Sequence, residues 1–281
     1  MFRCLLFSPA KVNLCLQVLS KREDGYHEIY TVFHKIDLFD EVEVERAKPY
    51  FELEFFSEED VPFEENLVYK AWLAFKEEFN IPEEVKIKVK KEIPIGAGLG
   101  GGSSNAASVL KGLAYLYGIP WDDERLFKIA KKLGADVPFF LSPYITAIGE
   151  GIGEKLTPIP GFNAWFLLIV PNFKVSTAWA YQNLGLTKSK NPVYYSAELL
   201  PWEQEEALFN DFKDLIFNEF KELFDYEKWL KETGGRCVNL SGTGPTIFGI
   251  FPEEPPFFAY ETLKKFLKNV RIFLAKTLEE T

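Results

Sequence analysis

Apolar and polar residues alternate through the first third of the chain, over residues 12–19, 29–38, 41–45 and 50–56. A period of two marks strands with one buried face, and their close succession predicts a twisted antiparallel sheet. Between residues 65 and 79 the period lengthens. Leu67, Ala71, Ala74 and Phe75 then share one helical face, and Pro82 ends the run. Helical spacing dominates from 103 to 140, and strand signals return at 144–148 and, past the glycine-rich 149–153, at 155–157. Pro158, Pro160 and Gly161 predict a boundary between a first domain, 1–158, and a second, 159–281. Beyond it, 164–170 reads as a buried strand. Helical runs fill 176–233 with a polar break at 187–192, and 237–240 and 245–251 read as strands across a tight turn. A helix at 257–268 and a strand at 271–275 close the chain. Strand, helices, strand, strand, helix, strand is the order of a ferredoxin-like split βαβ with an enlarged first crossover, so the fold class is α+β.

Composition narrows the partners. The 281 residues are 47% hydrophobic, ample for a sizeable core, and carry a formal net charge of −10. That charge argues against nucleic acid or a membrane surface as partner, since either needs a basic face. Anionic ligands would need a local positive field, for which Lys11, Lys21, Arg22, Lys90 and Lys91 are placed in sequence. Cys4, Cys15 and Cys237 lie in apolar runs without metal-ligand spacing and read as buried free thiols of a reducing compartment. Pro9 and Lys11 interrupt the N-terminal apolar stretch before a signal-peptide core is complete, and no apolar run reaches the ~18–20 residues of a membrane span. A cytoplasmic protein, monomer or homodimer, is expected.

The strongest chemical signal is residues 94–104, PIGAGLGGGSS, between the strand-like 85–90 and the helical run that begins at Asn105. Glycines let the backbone approach a ligand closely, and a helix N-terminus favours negative charge, so the segment reads as a phosphate site. Gly96, Gly98 and Gly101 also satisfy the spacing of a dinucleotide-binding loop. That reading needs a second strand bearing an acid ~20 residues on, where 121–133 is helical instead. A P-loop lacks its Gly-Lys-Ser/Thr here. A plain flexible linker fits poorly between an apolar strand and a helix with Ser103 or Ser104 available as N-cap.

Residues 94–107 resemble the phosphate loop of the GHMP kinases, 8–14 (SPAKVNL) resemble that family's first motif, and 240–248 (LSGTGPTIF) its third. The resemblance spans nearly the whole chain. It implies a two-domain fold, a left-handed βαβ ATP-binding domain followed by a ferredoxin-like domain. It implies ATP held by Asn66 and by Pro94, Ile95, Gly96, Ala97, Gly98, Leu99, Gly100, Gly101, Gly102, Ser103 and Ser104, with Mg2+ on the nucleotide phosphates and Ser104 as the nearest protein ligand. Residues 21–28 (KREDGYHE) and 134–141 (GADVPFFL) resemble the branch of this family that phosphorylates a tertiary hydroxyl of a cytidine diphosphate ester on the non-mevalonate route to isoprenoid precursors.

In that branch Asp136 is the proton acceptor and Lys11 keeps its carboxylate ionised. Tyr26 stacks on cytosine, His27 reads its edge, and Tyr181 stacks on the other face. Asn13 bonds the acceptor or its phosphates. Gly242, Thr243 and Gly244 offer backbone N–H groups, Pro245 having none. Several of these residues also have plainer readings. Asp136 and Asn66 suit helix caps, Lys11 could snorkel from a strand edge, and Tyr181 could be core. A GHMP kinase for another small alcohol, such as homoserine or a mevalonate derivative, is the nearest alternative function. A non-catalytic nucleotide sensor is a further one.

Overall fold

The protein is described by a computed structural model covering residues 2–185, 190–255 and 257–279. Two compact units draw on interleaved segments: Met1–Ala10, Leu38–Ile95 and Gly100–Tyr144 in the first, Lys11–Asp37, Gly96–Leu99 and Ile145–Thr281 in the second. Two long paired strands, β1 (Arg3–Lys21) and β2 (His27–Lys48), contribute to both. The sequence pattern gave shorter pieces because buried polar residues, Ser8 and Lys11 in β1 and Asp40 in β2, interrupt the apolar alternation.

In the first unit, β3 (Glu52–Phe56), helix α1 (Leu67–Glu78) and β4 (Glu84–Lys90) form a βαβ crossover. The C-terminal half of β2 pairs antiparallel with β4, but β3 pairs with β4 in parallel. This corrects the expectation of a purely antiparallel sheet: a helix between two neighbouring strands returns the chain to the end where it started. Three more helices follow, α2 (Gly101–Tyr117), α3 (Glu124–Leu133) and α4 (Val137–Leu141). Trp72 and Phe75 of α1, Val85 and Ile87 of β4, and Leu110 and Leu113 of α2 are buried in one core.

In the second unit, the N-terminal half of β2 pairs with β5 (Thr146–Gly151), which pairs in turn with β6 (Lys155–Pro158). The rest comprises β7 (Trp165–Pro171), α5 (Thr177–Asn183), α6 (Lys213–Glu219), α7 (Glu222–Glu232), β8 (Arg236–Leu240), β9 (Ile247–Phe251), α8 (Phe257–Phe266) and β10 (Val270–Lys276). The strand order β10-β7-β9-β8, antiparallel throughout, is the ferredoxin-like arrangement read from the element order. Residues 187–189 of the expected polar break lie outside the described residues. Phe212, Phe217, Leu223 and Leu230 pack with Leu167, Ile169 and Ile247 of the sheet.

All three cysteines are free thiols, but only Cys15 is buried; Cys4 and Cys237 are half-buried, against the expectation for all three. Among the described residues no helix is long and apolar enough to cross a membrane.

Candidate active site

Gly100 and the residues after it belong to the first unit, Gly96–Leu99 to the second. In the first, α2 opens at Gly101 with Gly100 as N-cap, its φ at +71°. Gly100 has no side chain to bond the first-turn N–H groups, so they remain available to an anion. Ser103 and Ser104 therefore stand inside the first turn, a correction to their expected place as caps. Gly101 must be glycine because a Cβ there would lie 2.9 Å from Ile93 Cγ2.

Behind this helix start sits a buried polar knot. The Asp40 carboxylate accepts from Glu92 N–H at 2.7 Å, Ile93 N–H at 2.9 Å, Asn105 Nδ2 at 2.8 Å and the Lys91 ammonium. Ser8 Oγ donates to Ser104 Oγ at 2.9 Å and accepts from Asn105 Nδ2 at 3.1 Å. The Ser104 hydroxyl thus faces the interior, fully buried, and the half-exposed hydroxyl of the pair belongs to Ser103.

Asn66 is the N-cap of α1, its Oδ1 accepting Val68 N–H at 3.0 Å, so the capping explanation holds for that side-chain atom. Asp136 occupies the N-cap position of α4, yet its side chain makes no capping bond. At the other end of α4, Lys111 Nζ donates to Phe140 C=O at 2.8 Å. Burial pushes this ammonium down to about 8.

In the second unit Lys11 is buried rather than snorkelling. Its Nζ donates to Asn13 Oδ1 and, at 3.0 Å, to the Gly98 carbonyl, and lies 5.7 Å from the centre of the Phe33 ring. Asn13 Nδ2 donates to Thr31 Oγ1 at 2.8 Å, which donates on to Cys15 C=O at 2.6 Å. Both ends of the Asn13 amide are therefore engaged within the protein, and its visible effect is to orient Lys11. The loop tip Gly96–Leu99 is held against the third motif: Ser241 Oγ donates to Gly98 C=O at 2.9 Å. Gly98, with φ +79°, has no room for a side chain, because a Cβ would fall 2.2 Å from the Ser241 carbonyl oxygen. Gly242 and Gly244 also have positive φ, +60° and +86°, and Thr243 Oγ1 lies 3.2 Å from Thr177 Oγ1.

The turn between β1 and β2 presents the aromatic pair of residues 26 and 27. Arg22 bridges Asp24 at 2.8 Å and Glu28 at 3.0 Å, Asp24 Oδ1 accepts Tyr26 N–H at 3.1 Å, and Gly25 takes φ +87°. The turn leaves Tyr26 60% exposed. His27 instead stacks on Tyr181, ring centres 4.9 Å apart at 27°. His27 is thus the ring that meets Tyr181 in this structure, and the Tyr181 ring also meets Phe212 edge-on. Burial, with the Lys21 charge adding to it, holds the His27 imidazole below its usual range, so it is neutral at pH 7 with one donor and one acceptor nitrogen.

The expected positive field is also revised. Arg22 pairs with Asp24 and Glu28, Lys90 with Glu41, and Lys91 with Asp40. A cation not foreseen, the exposed Lys174, lays its side chain over the loop: its Cδ would lie 3.3 Å from a Cβ on Gly96. Asp40, Lys174 and Ser241, which lie against the glycine segment or behind it, were not singled out from the sequence. Ser241 was visible within the third motif, but no spacing singles it out. The other two carry no local signal.

Residues 66–143 match the GHMP kinases N terminal domain and 198–269 the GHMP kinases C terminal domain. The chain is 40% identical over 266 residues to a 4-diphosphocytidyl-2-C-methyl-D-erythritol kinase of Syntrophus aciditrophicus, covering 92% of this chain and 93% of that one. It is 38% identical to the enzyme of the same name from Caldanaerobacter subterraneus subsp. tengcongensis, covering 96% of each. A crystal structure of 4-(cytidine 5'-diphospho)-2C-methyl-D-erythritol kinase superposes with TM-score 0.79 at 35% identity, over 97% of this chain and 98% of that chain. Homoserine kinase from Cytophaga hutchinsonii, TM-score 0.70 at 18% identity over 99% and 95%, shares the fold.

Proposed function

We propose that this chain, which belongs to the GHMP kinase family, transfers the γ-phosphoryl group of ATP to the 2-hydroxyl of 4-diphosphocytidyl-2-C-methyl-D-erythritol. The observation that carries the reading is identity of 34–40% to kinases of that name over most of both chains, against 18% for the homoserine kinase of like fold.

Phosphoryl transfer asks the protein to position two substrates and neutralise charge, with one group taking the acceptor proton. The proposed proton acceptor is Asp136, whose carboxylate is not engaged in capping α4. Lys11, held by Asn13 and Gly98, supplies a fixed positive charge that lowers the energy of a developing alkoxide. The N–H groups of the glycine loop and of the start of α2 would bind phosphate oxygens. His27, neutral by burial, suits cytosine because that base edge offers one acceptor nitrogen beside one amine donor. Tyr26 remains the exposed ring available for stacking. The third motif is proposed as a brace on the loop rather than a phosphate ligand.

Mg2+ bound to the nucleotide would neutralise β- and γ-phosphate oxygens. Among the described residues no cluster of three His, Cys, Asp or Glu side chains could hold it alone. This donor set fits an ion carried largely by phosphate and water, with the half-exposed Ser103 hydroxyl better placed than the buried Ser104.

The test is transfer of labelled γ-phosphate to a panel of acceptors: the cytidyl ester, its uridyl analogue, homoserine and mevalonate. The cytidyl ester is expected to be preferred by ~10²-fold or more in kcat/KM. Equal use of homoserine or mevalonate would overturn the assignment, and absence of turnover with any acceptor alongside intact ATP binding would favour a sensor.

A further inference from the structure

We propose that Ser241 is a positioning residue that sets the phosphate-binding face of the glycine loop by holding the Gly98–Leu99 peptide in one orientation; this rests on the loop binding ATP phosphates, as proposed above. The Gly98 carbonyl receives two donors, Lys11 Nζ at 3.0 Å and Ser241 Oγ at 2.9 Å. Ser241 Oγ itself accepts Asn13 N–H at 3.4 Å, which leaves its proton for Gly98. The next carbonyl, of Leu99, accepts Lys11 N–H at 3.0 Å.

A trans peptide is planar, so its C=O and N–H point in opposite directions. Turning the Gly98 carbonyl toward Lys11 and Ser241 therefore turns the Leu99 N–H away from them. That N–H finds no acceptor among the described residues, although Leu99 is buried. An unpaired N–H at a buried residue is a place for a ligand atom. Next to Gly98 at φ +79° and Gly96 at φ +71°, it belongs to a backbone concavity suited to an anion.

Ser241 is itself fixed. Its N–H donates to Thr246 C=O at 2.9 Å and its C=O accepts Gly244 N–H at 2.9 Å. Asn210 Nδ2 donates to the carbonyls on either side of it, Leu240 at 2.8 Å and Gly242 at 2.7 Å. The serine hydroxyl is thus presented by a braced turn, and Gly98 lies against that turn too closely for any Cβ. Lys11 alone could not define the peptide plane, since an ammonium on four methylenes can follow a rotating carbonyl.

The experiment uses the full chain labelled with [1-13C]glycine and [15N]leucine. Only the amide of a leucine that follows glycine then shows 13C coupling, and the sequence has three such pairs, at 98–99, 112–113 and 185–186. Loss of one signal in Leu99→Ile assigns it. In the wild type, ADP is expected to shift the Leu99 amide signal downfield, as an N–H does on meeting a phosphate oxygen. In Ser241→Ala the ADP-induced shift is expected to collapse and the Kd for ATP to rise about tenfold, with the KM for the acceptor little changed. The Leu113 amide, in the middle of α2, reports whether the variant is folded; if it is not, Ser241→Cys takes its place. A Leu99 shift and a Kd for ATP both unchanged in the folded variant would overturn the role of Ser241 while leaving the loop a phosphate site. A wild-type Leu99 signal indifferent to bound ADP would overturn the phosphate assignment at this peptide and the inference with it.

Discussion

Gly98→Ala tests the packing of the loop against the third motif. Two penalties add. A left-handed φ of +79° costs an alanine ~1–2 kcal/mol. The new Cβ would also sit 2.2 Å from the Ser241 carbonyl oxygen and 3.1 Å from that of Gly244, so backbone must move by about 1 Å to restore ordinary contact. Gly96→Ala has nearly the same φ, +71°, but meets only the flexible Lys174 side chain at 3.3 Å. Gly118→Ala, φ +68° with nothing within 4 Å, isolates the φ cost alone at the end of α2. The φ strain of ~1–2 kcal/mol is common to all three, read as a Tm decrease of a few degrees for Gly96→Ala and Gly118→Ala and a larger one for Gly98→Ala, to which the backbone clash adds. Gly98→Ala alone should lose ATP affinity by ~10²-fold, the usual effect of a 1 Å displacement at a positioned site. Calorimetric titration of each variant with ATP separates the two. If Gly98→Ala binds ATP within about threefold of Gly96→Ala, the argument that contact with the third motif fixes the loop is wrong.

Asp136→Asn should leave Tm and ATP affinity near wild type and lower kcat by ~10²–10⁴; turnover at the wild-type rate would remove Asp136 from the chemistry. His27→Ala should reduce kcat/KM for the cytidyl ester by ~1–3 kcal/mol in free-energy terms without altering the Kd for ATP. Because the His27 pKa lies below its ordinary value, the KM for that ester should stay flat as pH falls through 6.5 and rise only at lower pH, and a KM already rising above pH 7 would contradict a neutral reader. His34 is buried between Thr146 and Thr277, and burial depresses its pKa to about 3. The unfolded state therefore binds more protons between about pH 6.5 and 3, and stability falls with pH across that window, by roughly 1.5 kcal/mol between pH 6.5 and 5. Denaturant melts of His34→Gln should lack that component, and a slope equal to wild type would refute it.

The elements that were legible in the sequence are those decided by local physics. Residues 164–170 and 245–251 read as apolar strands and contain the central strands β7 and β9, which have neighbours on both sides. Helix α1 was placed within two residues at each end, because Asn66 and Pro82 bracket it. What escaped depends on partners distant in sequence. The direction of β3 was settled by its crossover to β4. The start of α2 was put between residues 103 and 105, with Ser103 or Ser104 as cap, whereas the helix opens at Gly101, packed closely on Ile93. The stacking of His27 on Tyr181 joins residues 154 positions apart, and the bond from Ser241 to Gly98 spans 143, separations no local pattern encodes.

The negative net charge and the anionic ligands proposed for this chain are reconciled by how the cations are distributed. Most of the basic residues near the motifs do not face a ligand: Arg22 builds the turn that carries Tyr26, and Lys91 is buried on Asp40 beneath the start of α2. Their charges are matched locally by Asp24, Glu28 and Asp40, so they position backbone without creating a field. On the function proposed, phosphate recognition would rest largely on neutral N–H groups, fixed by glycine geometry and by Ser241, with Lys11 and Lys174 beside them. Preorganised dipoles need no counter-ions when the site is empty and do not attract polyanions elsewhere on the surface. A consequence can be measured. If N–H groups supply most of the affinity, the Kd for ATP should weaken by less than about tenfold between 50 and 500 mM salt, whereas a site built on three or four lysines would lose far more. A steep salt dependence would move the recognition back onto side-chain charge.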